Sequence, residues 1–149
     1  MATEIRFYHL ERSRLEDALP LLLQKSLASG RRAVVRTGSP ERTEMLNQHL
    51  WTFDPGSFLP HGSSKDGDAP LQPVWLTEEE ENPNNAEVLF LCDGMSCEKP
   101  DSFSLICTVF DGNDPELLET ARAQWKAWKD TGPTLTYWQQ GASGWEKKV

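Results

Sequence analysis

Through the first 52 residues the pattern runs strand, helix, strand, helix, and this order narrows the fold more than any other feature. Residues 5–10 form an aromatic and apolar run suited to a buried strand. Ser13-Arg14-Leu15-Glu16 follows with capping-box spacing and leads into Leu15, Leu19, Leu22, Leu23 and Leu27, an apolar helical face that Gly30 closes. Pro20 lies inside that helix, where it removes one backbone hydrogen bond and predicts a bend. Residues 32–37 are a short β-branched strand, and Ser39-Pro40 supplies an N-cap and a first-turn proline for a second helix reaching about Trp51. Strands that alternate with helices in this way build a parallel sheet with right-handed crossovers. The expected class is therefore α/β.

The remainder extends the same scheme. Residues 52–71 read as a long loop, because Asp54-Pro55-Gly56, Pro60, Gly62, Gly67 and Pro70 interrupt either period. Strands are expected at 73–77, 87–92 and 104–110, with an acidic, solvated stretch at 78–85. Asp114-Pro115-Glu116 opens a last long helix, which Gly132-Pro133 ends. Residues 134–139 suit a final edge strand. The expected domain covers residues 1–140, and residues 141–149 are expected to be a loose tail apart from Trp145.

At 149 residues the chain can bury about two thirds of its unfolded surface without covalent staples. Its three cysteines, Cys92, Cys97 and Cys107, have neither an even count nor framework spacing, and are read as reduced thiols of a cytoplasmic protein. The opening MATEIRFYHLER lacks the apolar run of a signal peptide, and nowhere do about 18 consecutive apolar residues occur. Neither export by that route nor a membrane is expected. The formal charge of −8 is unevenly spread: residues 43–121 carry 16 acids against only Lys65 and Lys99, so the ends are net basic. Without a broad cationic surface to release counterions, tight DNA binding is not expected.

Nucleotide chemistry also lacks its motifs. A doubly wound sheet binds dinucleotides through glycines in its first strand-to-helix turn, whereas that turn here reads His9-Leu10-Glu11-Arg12-Ser13. There is no P-loop either. Three scattered histidines and no paired cysteines give zinc no ligand set, so no metal or other cofactor is expected. His9, at a strand end, is read as a hydrogen-bonded histidine rather than a general base, since no partner for catalysis is evident. His49 is read as a helix-surface residue, and Cys92 and Cys107 as small hydrophobes in apolar strands.

The last helix is the feature that points to a ligand. In ARAQWKAWK, residues 121–129, helical spacing places Arg122, Lys126 and Lys129 on one stripe, beside an apolar stripe of Leu118, Ala121, Trp125 and Trp128. Acids at the start of this helix and cations at its end also suit the helix dipole, so a merely solvated face would explain the charges alone. Six tryptophans raise the other possibility, that Trp51 or Trp125 is exposed and joins a binding surface, while Trp75 reads as core.

Several segments together resemble the chi subunit family of the bacterial DNA polymerase III holoenzyme. They are Phe7-Tyr8-x-Leu10, Gly30-Arg31-Arg32-Ala33-Val34, Leu50-Trp51 with Ser57-Phe58-Leu59-Pro60-His61, and the Arg122-x-x-Trp125-Lys126-Ala127-Trp128-Lys129 helix. The resemblance implies a three-layer Rossmann-like fold without nucleotide binding, and a non-catalytic accessory subunit of the clamp-loader assembly. It further implies binding of the acidic, aromatic-ended C-terminal tail of the single-stranded-DNA-binding protein and contact with the clamp loader, either through a small partner, psi, or by another route. By position, Arg122 and Lys126 would pair with tail carboxylates, Trp125, Trp51 and Phe58 would border the pocket for the terminal aromatic ring, and Lys129, in place of an arginine, would complete the peptide-binding patch. Gln124 stands where relatives carry a basic residue. A small nucleotide- or phosphate-metabolising enzyme on the same fold is the alternative.

Overall fold

A computed structural model describes residues 3–52, 61–64 and 66–149. The described elements follow one another as β1 Glu4–Leu10, α1 Leu15–Ala28, β2 Ala33–Arg36, α2 Pro40–Thr52, β3 Val74–Thr77, β4 Val88–Leu91, β5 Leu105–Asp111, α3 Pro115–Lys129, β6 Thr134–Gly141 and β7 Gly144–Lys147. All these strands belong to one sheet ordered β3-β2-β4-β5-β1-β6-β7. Every neighbouring pair is parallel except β6 with β7.

Strand alternation divides the core into two halves. Tyr8, Leu10, Val35, Phe90 and Cys107 point to the face covered by Leu19, Leu22 and Leu23 of α1 and Leu46 and Leu50 of α2. Ile5, Phe7, Val34, Leu89 and Ile106 point to the face covered by Ala121 and Trp128 of α3. Three layers result, and the inner strands are apolar on both sides as a covered parallel sheet requires. Trp75, at 4% exposure, is core as its strand position suggested.

Helix ends account for two departures from the sequence reading. The capping box at Ser13 does not form: Arg14 is the N-cap of α1 and makes no side-chain cap bond, while the Ser13 hydroxyl accepts from Gln140 Nε2 at 2.9 Å. Pro20 sits within α1 and cannot bond the Glu16 carbonyl four residues back. That carbonyl accepts from His49 Nε2 of α2 at 2.7 Å, so His49 is an interhelical tie and not a plain surface residue. The C-terminal end is as expected. Gly30 has φ +80°, and the Arg31 and Gly30 amides donate to the Ser26 and Leu27 carbonyls, the paired bonds of a Schellman stop.

The region expected to be a loose tail is instead partly sheet. β7 pairs with β6 across a two-residue turn closed by Gly141 opposite Gly144. Trp145 explains why it holds, for its ring lies edge-on to Tyr8 at 4.9 Å and packs on the α1 side of the core. β6 is therefore an inner strand, and β7 is the edge.

Candidate functional site

Asp114 caps α3 by accepting from the Glu116 and Leu117 amides at 3.0 and 3.3 Å. The helix so fixed presents Arg122, Lys126 and Lys129 to solvent on one side, as the spacing predicted. These three cations line an open groove of about 900 Å³ whose other walls include Trp125, Tyr137 of β6 and Val149. Among the described residues none of the three forms an ion pair. Glu119 is the groove's one carboxylate side chain among its lining residues.

The floor is aromatic. Tyr137 lies 6.0 Å from Trp125 in a T-shaped contact, and Phe7 beneath them meets Trp125 edge-on at 5.3 Å and stacks on Tyr137 at 6.3 Å. Trp128, buried to 7% exposure, closes the cluster from behind. Burial raises the Tyr137 hydroxyl above its usual range, partly offset by the nearby Arg122 charge, so the phenol stays neutral at physiological pH. A cationic rim over apolar rings suits a ligand with carboxylates and one hydrophobic side chain.

A family model described as DNA polymerase III chi subunit, HolC, matches residues 2–136. The chain belongs to the DNA polymerase III chi subunit family. A probable DNA polymerase III subunit chi of Rickettsia prowazekii (strain Madrid E) is 36% identical over 88 residues, 59% of this chain and 53% of that protein. The match thus spans about half the length of that relative. Among the described residues no helix is long and apolar enough to cross a membrane.

One residue expected at the site is not brought to it. Trp51, on α2, lies across the sheet from α3; its ring sits 4.2 Å from that of His61 and it is 47% exposed. His61 in turn bonds the Asn47 carbonyl at 2.9 Å, so the Trp51 and His61 parts of the chi-like motif fasten the loop to α2. Phe58 lies outside the described residues. Gln124 is also off the cationic stripe: it is buried and donates to the Gly94 and Met95 carbonyls at 3.3 and 3.0 Å, pinning α3 to that turn. Conversely, Tyr137 was missed, because only strand adjacency places it beside α3.

The second place where this fold could hold a ligand is the switch point, where neighbouring strands β1 and β5 send their chains to opposite faces. Here that crevice is filled from within. Gln140 Oε1 accepts from three successive amides of the first turn, Glu11, Arg12 and Ser13, at 3.1, 2.7 and 3.0 Å. Such a row of amides is the cradle that takes a phosphate oxygen in nucleotide-binding relatives of the fold. Asn113 Nδ2 donates to the Glu11 carbonyl at 3.2 Å and closes the other side.

Proposed function

We propose that this chi-family protein binds the acidic, aromatic-ended C-terminal tail of the single-stranded-DNA-binding protein in the groove between α3 and β6, and thereby couples coated template to the clamp loader. The observation that carries the reading is the set of three exposed cations, Arg122, Lys126 and Lys129, which form no ion pair among the described residues, along one edge of an aromatic-floored groove. Arg122 and Lys126 pair with tail carboxylates, Lys129 extends the stripe, and Trp125 with Tyr137 receives the terminal ring. Contact with the clamp loader runs through psi where that partner exists. The protein works without a cofactor and without chemistry of its own, in the cytoplasm at the nucleoid-associated replisome.

Magnitudes divide the work between charge and ring. An exposed ion pair contributes up to about 1 kcal/mol, and burying one aromatic side chain about 2–3 kcal/mol. The ring therefore dominates affinity and the charges set orientation and approach, with a dissociation constant on the order of 1 μM, about −8 kcal/mol. The enzyme alternative has against it the Gln140 carboxamide, lodged where a phosphate would have to sit.

Titrating a synthetic acidic peptide ending in phenylalanine, followed by tryptophan fluorescence, tests the reading. Saturable binding by the wild type and a loss of about tenfold or more in Lys126→Glu are expected, with no tight, salt-sensitive binding of single-stranded DNA. No saturable signal, or an unchanged affinity in the charge reversal, would show the groove is not the tail site.

A further inference from the structure

The groove's aromatic wall is held from inside the sheet. His9, at 9% exposure, lies on β1 between Phe110 of β5 and Gln139 of β6 in register. Its Nδ1 is 2.5 Å from the Tyr137 hydroxyl, and its Nε2 is 3.4 Å from Glu11 Oε1. The donor in this contact follows the tautomer: with the ring proton on Nε2, facing the Glu11 carboxylate, Nδ1 is bare and Tyr137 donates to it. The imidazole has little freedom to leave. Gly112 backs directly onto it, with space so tight that a Cβ there would fall 1.8 Å from Nε2, and the Phe110 ring stands 5.2 Å away.

We propose that His9 is a positioning residue for the groove: by drawing the Tyr137 hydroxyl inward, it leaves the ring as the surface a ligand meets. This sets the groove's preference for a peptide ending in an aromatic side chain over one ending in a hydroxyl. The inference rests on the reading of the groove as an acidic-peptide site. A phenol without an internal partner would turn its hydroxyl toward water or ligand, and a hydrophobic end would then have to desolvate it. With His9 as partner that cost is already met within the fold.

Two peptides of identical acidic sequence, one ending in phenylalanine and one in serine, are titrated calorimetrically against the wild type, His9→Leu, His9→Asn, Tyr137→Phe and the double variant H9L/Y137F, each checked for folding by thermal unfolding. The wild type should prefer the phenylalanine end, and His9→Leu should lose about tenfold of that preference, the loss expected when a buried hydroxyl is left unpaired. His9→Asn, whose amide oxygen takes the place of Nδ1, should keep it, and the double variant should recover the preference shown by Tyr137→Phe alone. Wild-type binding with an unchanged preference in His9→Leu, or no recovery in the double variant, overturns the role of His9 alone. Absence of wild-type binding by either peptide overturns the peptide reading and the preference together. Nitrogen NMR of the His9 ring gives a readout free of any peptide: a protonated Nε2 and bare Nδ1 at neutral pH support the geometry, and the reverse tautomer defeats it.

Discussion

Cys107 in β5 and Cys92 just beyond β4 are fully enclosed in the α1 side of the core. Burial pushes the Cys107 thiol up to about 12 from 9.0, and raises Cys92 as well, with the Asp93 charge adding to the effect. Both are neutral in the folded protein across the physiological range, and only the thiolate is nucleophilic. Iodoacetamide at pH 8 should therefore leave both unmodified until the chain is unfolded, which mass spectrometry of the labelled protein reads directly. Unfolded, the same thiols ionise near 9, so the unfolded state sheds protons first as pH rises. The Cys107 contribution to stability is complete below that value and is lost between about 9 and about 12. Residues whose placement depends on local spacing were readable in the sequence, as the exposed stripe of Arg122, Lys126 and Lys129 was. Tyr137 and His9 were not, since 128 positions separate them and parallel pairing alone joins them. Trp51 failed for the converse reason: a motif shared along the chain does not say on which side of a sheet each member falls.

At the scale of elements, the β6–β7 hairpin is the piece the chain conceals best. Gly144, Trp145, Glu146 and Lys147 contain no β-branched residue, and the strand is fixed by one indole ring on Tyr8. Trp145→Ala should accordingly cost about 2 kcal/mol, less than for a fully buried tryptophan because this ring is only half-buried. Urea unfolding measures the loss, and amide exchange should accelerate across residues 144–147 while α3 keeps its protection. The other elements followed their signals closely because proline, glycine and aspartate punctuate them, as at Ser39-Pro40, Asp114-Pro115 and Gly30. The capping box at Ser13 was a real local signal that lost to a distant one: the Gln140 carboxamide satisfies more amides than a serine hydroxyl could.

For the whole molecule, sheet order turns a charge pattern along the chain into a pattern in space. Glu78, Glu79, Glu80 and Glu81 follow β3, at one edge of the sheet, whereas Arg122, Lys126 and Lys129 border β6 near the other. Five strand spacings separate β3 from β6, roughly 24 Å, more than two Debye lengths at 0.1 M salt. The acidic edge therefore leaves the groove's local field positive in a protein of net charge −8. Raising salt from about 0.05 to 0.5 M should slow association of an acidic peptide severalfold while changing its dissociation much less, which stopped-flow fluorescence separates. The filled switch point carries a consequence of another kind. A nucleotide-binding subunit times its contacts by hydrolysis, gripping in one state and letting go in the next. With Gln140 occupying that cradle, the same crevice has no clock to run, and how long a partner stays is decided by its own dissociation.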